Sequence, residues 1–308
     1  MNNTNETMQN KSINLNNHAY DGIFVSVIIN CFNGEEFLES AIDSILAQTH
    51  KNFELIIWDN QSSDNSAEVI KKYKDNRISY FYSFNHTTLG QARNLAVAKA
   101  SGDWIGFLDC DDIWYKNKLE VQLCDVSDST GMIYSRSKFL VEDSGQQTTM
   151  GKSIKKNLFY PSIKKLPSGK IFNELLYECF IPMPSVLIRR SLFFEVGGID
   201  PSYCVAEDYD IFLKIAHISN VIAIDSVLCE YRVHGNNFSH SNIDVTFAES
   251  ISLIGSYKSI LNTDIQINYW KLKQIKNLLK RKKFRILFAE VLKLKFYSFS
   301  KMLVKKYL

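Results

Sequence analysis

From residue 24 onward, short uninterrupted apolar runs alternate with longer stretches whose apolar residues recur every three or four positions. "FVSVIIN" (residues 24–30), "FELIIW" (53–58), "ISYFY" (78–82) and "WIGFL" (104–108) are rich in β-branched and aromatic residues. Such runs read as strands buried on both faces. Between them, "GEEFLESAIDSILAQT" sets Phe37, Ala41, Ile42, Ile45 and Leu46 at helical spacing, with acidic residues in the first turn. "SSDNSAEVIKKYK" opens with cap-type residues and "GQARNLAVAKA" has an alanine-rich face. Strands alternating with helices over roughly 110 residues predict a parallel, doubly wound α/β sheet.

The second half is less regular. "GMIYS" reads as a strand, and residues 142–170, polar and punctuated by Gly and Pro, as loop. "PSVLIRRSLFFEVGGID" reads as strand, helix and Gly-Gly turn, and "EDYDIFLKIAHI" as an amphipathic helix. "VIAI" and "LCEYRV" read as two short strands, "HGNNFS" as a polar turn and "VTFAESISLIGSYKSIL" as a helix. No internal repeat is visible.

In sheets of this kind ligands bind beyond the carboxyl ends of the strands. Asn30, Asp59 and Asp109 each end a predicted strand, so they are expected on one rim. "WIGFLDCDDIW" then crowds Asp109, Asp111 and Asp112 into four positions. Carboxylates so close need a cation or a hydrogen-bond network to stay charged. Read bottom-up, the run is either a solvated turn with Asp112 capping the next helix, or a shell for Mg²⁺ or Mn²⁺, which bind through one or two carboxylates plus phosphate oxygens. The other rim residues favour the metal. Asp208, in "EDYD" at a helix start, suits the helix dipole without any further role. His234 could be a turn residue and Arg93 a surface ion-pair partner. Trp58 and Trp104, inside apolar runs, are expected in the core.

At this point a resemblance becomes plain. "SVIINCFNGEEFLESAIDSILAQTHKNFELIIWDNQSSDNS" is similar to the nucleotide-binding opening of the family 2 glycosyltransferases, which have the GT-A fold, and "LGQARNLAVAKASGDWIGFLDCDDIW" to that family's DXD region. "PSVLIRRSLFFEVGGID" and "AEDYDIFLKIA" resemble its acceptor-side motifs, and "YRVHGNNFS" the turn that closes its catalytic domain. The resemblance implies that Asn30, Phe32 and Glu35 line the nucleotide pocket, with Phe32 near the base. Asp59 and Asn60 should face the uracil or ribose, and Arg93 the base or diphosphate. Asp109 should meet the ribose or a metal-bound water, Asp111 the metal itself, and His234 the metal or the diphosphate. Asp208 should be the catalytic base, with Glu207 beside it. Two departures stand out. Asn60 replaces a carboxylate common in the family, which loosens the inference to uracil. Cys110, between the two DXD aspartates, is read as packing.

The implied fold is GT-A, a Rossmann-like, mostly parallel sheet flanked by helices, with a helical C-terminal extension. Residues 23–240 are expected to form the catalytic domain, 23–115 its nucleotide half and 116–240 its acceptor half. Residues 1–22, rich in Asn and without an apolar core segment, read as a disordered leader.

Composition adds one thing to this picture. The net charge of +3 hides an asymmetry: residues 271–308 hold thirteen Lys/Arg against Glu290 alone, a charge of +12, so residues 1–270 carry −9. Basic amphipathic segments dock on anionic membrane surfaces, and that is the expected partner of the tail. The rival readings are a solvated helix packed on the domain and nucleic acid, the latter disfavoured by the acidic body. No stretch of 18 apolar residues is present, so no membrane-spanning helix is expected. Six scattered cysteines show neither a disulfide framework nor a zinc pattern and fit a reducing compartment.

Together these readings predict an inverting glycosyltransferase, cytoplasmic and peripheral on the inner face of the cell membrane. It would use Mn²⁺ or Mg²⁺ and a nucleotide-sugar donor, UDP-linked by preference. Its acceptor would be a glycan, or a glycan on undecaprenol, in surface-polysaccharide synthesis of the O-antigen type. A sugar-phosphate nucleotidyltransferase would need a basic, Gly-rich loop after the first strand, where "NCFNGEEF" is acidic. A non-catalytic nucleotide-sugar binding protein would have no need of Asp111 and Asp208.

Overall fold

A computed structural model describes residues 22–141, 158–160, 162–234, 242–281, 283 and 286. The expected leader except Gly22, residues 142–157, the closing turn after His234 and most of the basic tail lie outside the described residues.

β1 (Val25–Cys31), β2 (Phe53–Asp59), β3 (Ile78–Tyr82) and β4 (Trp104–Asp109) form a parallel half-sheet in the order β3-β2-β1-β4. Their apolar runs are continuous because both faces are covered. Ile28, Ile56, Ile105 and Phe107 pack with Ala92 and Ala96 of the Leu89–Val97 helix. Their neighbours Val27, Ile29, Leu55, Ile57 and Leu108 pack on the other face with Leu38, Ala41, Ile42 and Ile45 of the Leu38–Leu46 helix. The register sets Asn30 beside Asp109 and Cys31 beside Asp59. The three expected strand-end residues therefore share one rim. Trp58 and Trp104 are buried.

The sheet continues through β7 (Leu187–Arg189), β6 (Thr130–Val141), β8 (Asn220–Val233) and β5 (Ile113–Trp114), giving eight strands in the order β3-β2-β1-β4-β7-β6-β8-β5. β7 runs antiparallel to both its neighbours, and β6 and β8 run parallel. Three local expectations are corrected here. "VIAI" and "LCEYRV" are one strand, not two. The polar pair Asp225 and Ser226 that separates them bulges out of the ladder, where Ile224 pairs with Ser135 but Val227 with Arg136. Arg136 Nε donates to Asp225 Oδ1 across the bulge at 2.5 Å. "GMIYS" extends to twelve residues because β8 offers so long an edge. Within the stretch read as loop, Leu158 bridges to Lys138 and Gly169 to Val221.

β5 directly follows the aspartate cluster. It doubles back on β8, with Ile113 beside Glu230, and so carries the end of β8 to the rim. Trp114 anchors the turn, its Nε1 donating to Pro184 O at 2.7 Å. Gly106 makes room for that indole, since a Cβ there would stand 2.6 Å from Trp114 Cη2.

The C-terminal helices Ile243–Ser256 and Asp264–Lys280 pack against the body. Trp270 lies against Tyr209 and Phe247, and its Nε1 donates to Leu176 O at 3.0 Å. The first part of the predicted tail is thus a docked helix. No helix among the described residues is long and apolar enough to cross a membrane.

Candidate active site

The loops after β1 and β2 are stitched together at the rim. The backbone amides of Asn33, Gly34 and Glu35 donate to Ser62 Oγ, Ser66 Oγ and Asp64 Oδ2, each at 2.9 Å. In return, Asn65 donates through its backbone N and its Nδ2 to Glu35 Oε2, at 2.8 and 2.7 Å. Glu35 therefore holds the loop pair together. Asn33 and Gln61 take left-handed backbone angles, φ 52° and 73°, a turn that Asn tolerates better than most residues. Phe32 is half exposed, and its ring centroid lies 4.3 Å from that of His86. His86 Nδ1 stands 2.9 Å from Asn60 O and must be the donor, because a carbonyl only accepts. Phe32 and His86 together make an aromatic ledge on which a planar base can rest.

Two residues expected to face a nucleotide point into the protein. Asp59 is wholly buried. Its oxygens accept from Ser62 N at 2.7 Å and from Tyr80 Oη at 2.8 Å; burial first, and then this pairing, raises the Tyr80 hydroxyl above its ordinary pKa. Asn60 donates through Nδ2 to Thr87 O, and its Oδ1 accepts from Thr87 Oγ1, each at 2.9 Å. Both residues shape the rim through other groups. Asn30, by contrast, has a buried Nδ2 with no hydrogen-bond partner. Unpaired buried donors are costly, and this one stands at the strand end where a ligand would supply the acceptor.

The crowded carboxylates are reconciled in three ways. Asp109 Oδ1 accepts from Arg93 Nη2 at 2.8 Å. Asp111 Oδ2 lies 2.9 Å from His234 Nε2. Asp112 is buried, and its Oδ1 accepts from Arg232 N at 2.8 Å. Its Oδ2 has no partner. Burial, with the charges of Asp111 and Asp109 added, pushes the Asp112 carboxyl well above the usual range. Arg232 Nε also donates to Asp111 O at 2.7 Å, and its guanidinium lies over the Phe37 ring. The end of β8 is thereby clamped to the cluster. Among the described residues, no three His, Cys, Asp or Glu side chains stand close enough to enclose a metal. Asp111 and His234 form a pair, while Asp109 is turned to Arg93.

Arg93 joins the two halves of the site. Nearly all of its surface is buried, and its Nη1 donates to Glu207 Oε1 at 2.9 Å. Glu207 begins the Glu207–Ile218 helix and Asp208 follows it. Burial and the neighbouring Asp208 push Glu207 up to about 8, against the pull of Arg93. Burial likewise pushes Asp208 up to about 6, opposed by Arg93 and by the Tyr209 N–H, which donates to Asp208 Oδ1 at 2.6 Å. A carboxylate tuned to that range can accept a proton near neutral pH. Asp210 has a structural task, accepting from Asp200 N at 2.8 Å and Lys214 Nζ at 2.7 Å.

Sequence reasoning passed over Thr87, His86, Tyr80, Arg232 and the burial of Asp112. "YRVH" placed Arg232 two residues from His234, the one signal that could have found it.

The comparisons with known proteins fit this geometry. The family model described as "Glycosyl transferase family 2" matches residues 26–192. The chain belongs to that family. It is 33% identical over 241 residues to an uncharacterised glycosyltransferase of Rickettsia conorii, covering 77% of this chain but 37% of the relative. The chain thus spans little more than a third of that relative's length. It is 30% identical over 222 residues to WfgD of Escherichia coli, a UDP-Glc:α-D-GlcNAc-diphosphoundecaprenol β-1,3-glucosyltransferase, covering 71% of this chain and 81% of WfgD. In fold it resembles the crystal structure of Staphylococcus aureus TarS 1–349 in complex with UDP-GlcNAc. That match has a TM-score of 0.59 at 17% identity and covers 91% of this chain and 78% of TarS 1–349. The described architecture is a GT-A glycosyltransferase fold with C-terminal helices.

Proposed function

We propose that this glycosyltransferase moves a sugar from a UDP-sugar to a lipid-linked glycan by a single inverting displacement, with Asp208 as the base. The observation that carries the reading is the bridge made by Arg93. It ties Asp109, at the end of β4, to Glu207 beside Asp208, so the donor rim and the proton acceptor form one rigid unit.

The donor's base rests on the Phe32–His86 ledge, and Asn30 Nδ2 supplies a hydrogen bond that nothing in the protein accepts. Asp111 and His234 would hold Mn²⁺ or Mg²⁺. Their donor atoms lie 2.9 Å apart and both side chains are partly exposed. An oxygen with an imidazole nitrogen suits Mn²⁺ well, and two protein ligands leave positions for phosphate oxygens. When bound, the ion supplies positive charge to a leaving diphosphate. Asp208 takes the proton of the acceptor hydroxyl as that oxygen attacks the anomeric carbon, while Arg93 and Glu207 hold the start of the helix that carries it. Attack from the face opposite the leaving group converts an α-linked donor into a β product. WfgD, named for UDP-Glc and a β-1,3 linkage, supports both the donor class and this stereochemistry. Its diphosphoundecaprenol acceptor supports a lipid-linked acceptor here, in surface-polysaccharide synthesis on the inner face of the cell membrane.

The tail remains our proposed membrane contact. Of its basic residues, Lys273 pairs with Glu178, and Arg281 and Lys283 pair with Asp244. These three basic residues are therefore engaged with the body of the protein.

The test is nucleotide release from a panel of UDP-, GDP- and dTDP-sugars with a lipid-linked GlcNAc acceptor, with Mn²⁺ or with EDTA. Metal-dependent turnover of a UDP-sugar to a β product is expected. An α product would overturn the single displacement, and turnover unaffected by EDTA would overturn the metal assignment.

A further inference from the structure

We propose that Cys31 and Cys110 are a modification site: a dithiol under the donor rim that closes to a reversible disulfide and thereby shuts the metal and nucleotide site. This rests on the reading of that rim as the donor site.

Cys31 ends β1 and Cys110 directly follows β4, the strand beside it, one step past the paired Asn30 and Asp109. Neighbouring strands stand about 4.8 Å apart. That spacing falls inside the roughly 4.4–6.8 Å between Cα atoms that a disulfide accepts. The thiols also point the same way, since a Cβ added to Gly34 would lie 2.8 Å from Cys110 Sγ and 3.1 Å from Cys31 Sγ. Both are free thiols, Cys31 buried and Cys110 half-buried.

The reaction is thiol–disulfide exchange with a small disulfide such as glutathione disulfide. One of the two cysteines, as thiolate, attacks one sulfur, forming a mixed disulfide and releasing one glutathione. The other, after losing its proton, then attacks the cysteine sulfur of that mixed disulfide, forming the Cys31–Cys110 bond and releasing the second. The two cysteines are oxidised, the glutathione disulfide is reduced to two thiols, and both protons end on glutathione.

Closing the bond draws the two sulfurs to bonding distance. Cys110 sits between Asp109 and Asp111, whose carboxylates are held by Arg93 at 2.8 Å and by His234 at 2.9 Å. Moving Cys110 pulls on both. Gly34, lying on the sulfurs, transmits the same shift to the loop that carries Phe32 and Glu35. Metal sites lose roughly 10–100-fold in affinity when the supports of their ligands are disturbed, and a loss of that size is expected here.

The experiment uses the full chain, reduced, oxidised with glutathione disulfide, and reduced again with dithiothreitol. Peptide mapping by mass spectrometry reads the disulfide, and calorimetry with Mn²⁺ and UDP reads the site. The expected result is a Cys31–Cys110 link, weakened UDP binding and recovery on reduction, with the link absent in Cys110→Ala and in Cys31→Ala and the loss absent when both are replaced by Ala. Absence of that link, or a link that leaves UDP binding unchanged, would overturn the inference. A reduced protein that binds no UDP would instead overturn the donor-site reading, while the mapping still decides whether the two cysteines pair.

Discussion

The two sides of the rim are built by different means. The nucleotide side consists of loops 32–37 and 60–66, joined by several hydrogen bonds from backbone amides to short polar side chains and to the carboxylates of Glu35 and Asp64. The catalytic side consists of a few contacts between residues far apart in the chain: the ion pairs of buried Arg93 with Asp109 and Glu207, the partly exposed pair of Asp111 with His234, and the Arg232 backbone N–H donating to Asp112. Redundant loop bonds can be lost one at a time, each at modest cost. A buried charge that loses its partner has no substitute. The loop side should therefore tolerate substitution, and the ionic side should not.

The sharpest way to break this comparison is Asp208→Asn. It should lower kcat by about 10²–10⁴ while leaving UDP affinity and the circular-dichroism spectrum unchanged. Turnover near that of the unaltered enzyme would remove Asp208 from the chemistry. Next in size is Arg93→Met, which strands Asp109 and Glu207 and should cost about 3–5 kcal/mol of unfolding free energy in urea. Adding Asp109→Asn and Glu207→Gln should recover much of that loss. If the triple variant were no more stable than the single one, packing rather than charge would be the reason.

His234→Ala tests the metal pair. A fall of about 10–100-fold in Mn²⁺ affinity is expected, read by titration in the presence of UDP, and an unchanged affinity would take His234 out of the shell.

Titration separates activity from stability. Burial pushes Asp208 up to about 6, and a base works only when ionised, so kcat should rise through about pH 6 and then level off. Stability should move the other way. The Glu207 carboxyl goes from 4.5 when solvated to about 8 in the fold, so the native state holds its proton longer than the unfolded chain does. That contribution is whole below about pH 4.5 and fades as pH climbs towards 8. Glu207→Gln should flatten that decline in urea melts across the window. A slope that survived would assign it to other groups.

The smallest effect belongs to the loop side. Thr87→Val removes the hydroxyl that donates to Asn60 and should cost only about 0.5–1.5 kcal/mol, with a modest rise in donor KM. A collapse of activity would mean that the loops are as intolerant as the ionic core.

Much of the donor side was legible in the chain. β1, β2, β3 and β4 announce themselves as apolar runs because each is covered on both faces, and where they end is where the rim must be. Glu35 and Phe32 were legible as rim residues because they directly follow β1. Their partners were less so: Glu35 turns to Asn65 and Phe32 to His86, and those choices depend on how two loops meet. The acceptor side was harder to read. β8 looked like two strands because a bulge and a break look alike in a hydropathy pattern. Nothing in "IW" revealed that two residues would pair with β8 and bring His234 to Asp111.

What the sequence determined alone is therefore the alternation of strands and helices, the rim they share and the residue types that crowd onto it. Local propensity and burial period are properties of neighbours in the chain, and they can be read there. Which partner each carboxylate meets, and which of them is buried, was decided only by the tertiary structure. Asp109, Asp111 and Asp112 are near neighbours of one chemical kind, yet each meets a different distant partner: Arg93, His234 and the Arg232 backbone. The field at a buried group is set by whatever the fold places within a few ångströms of it.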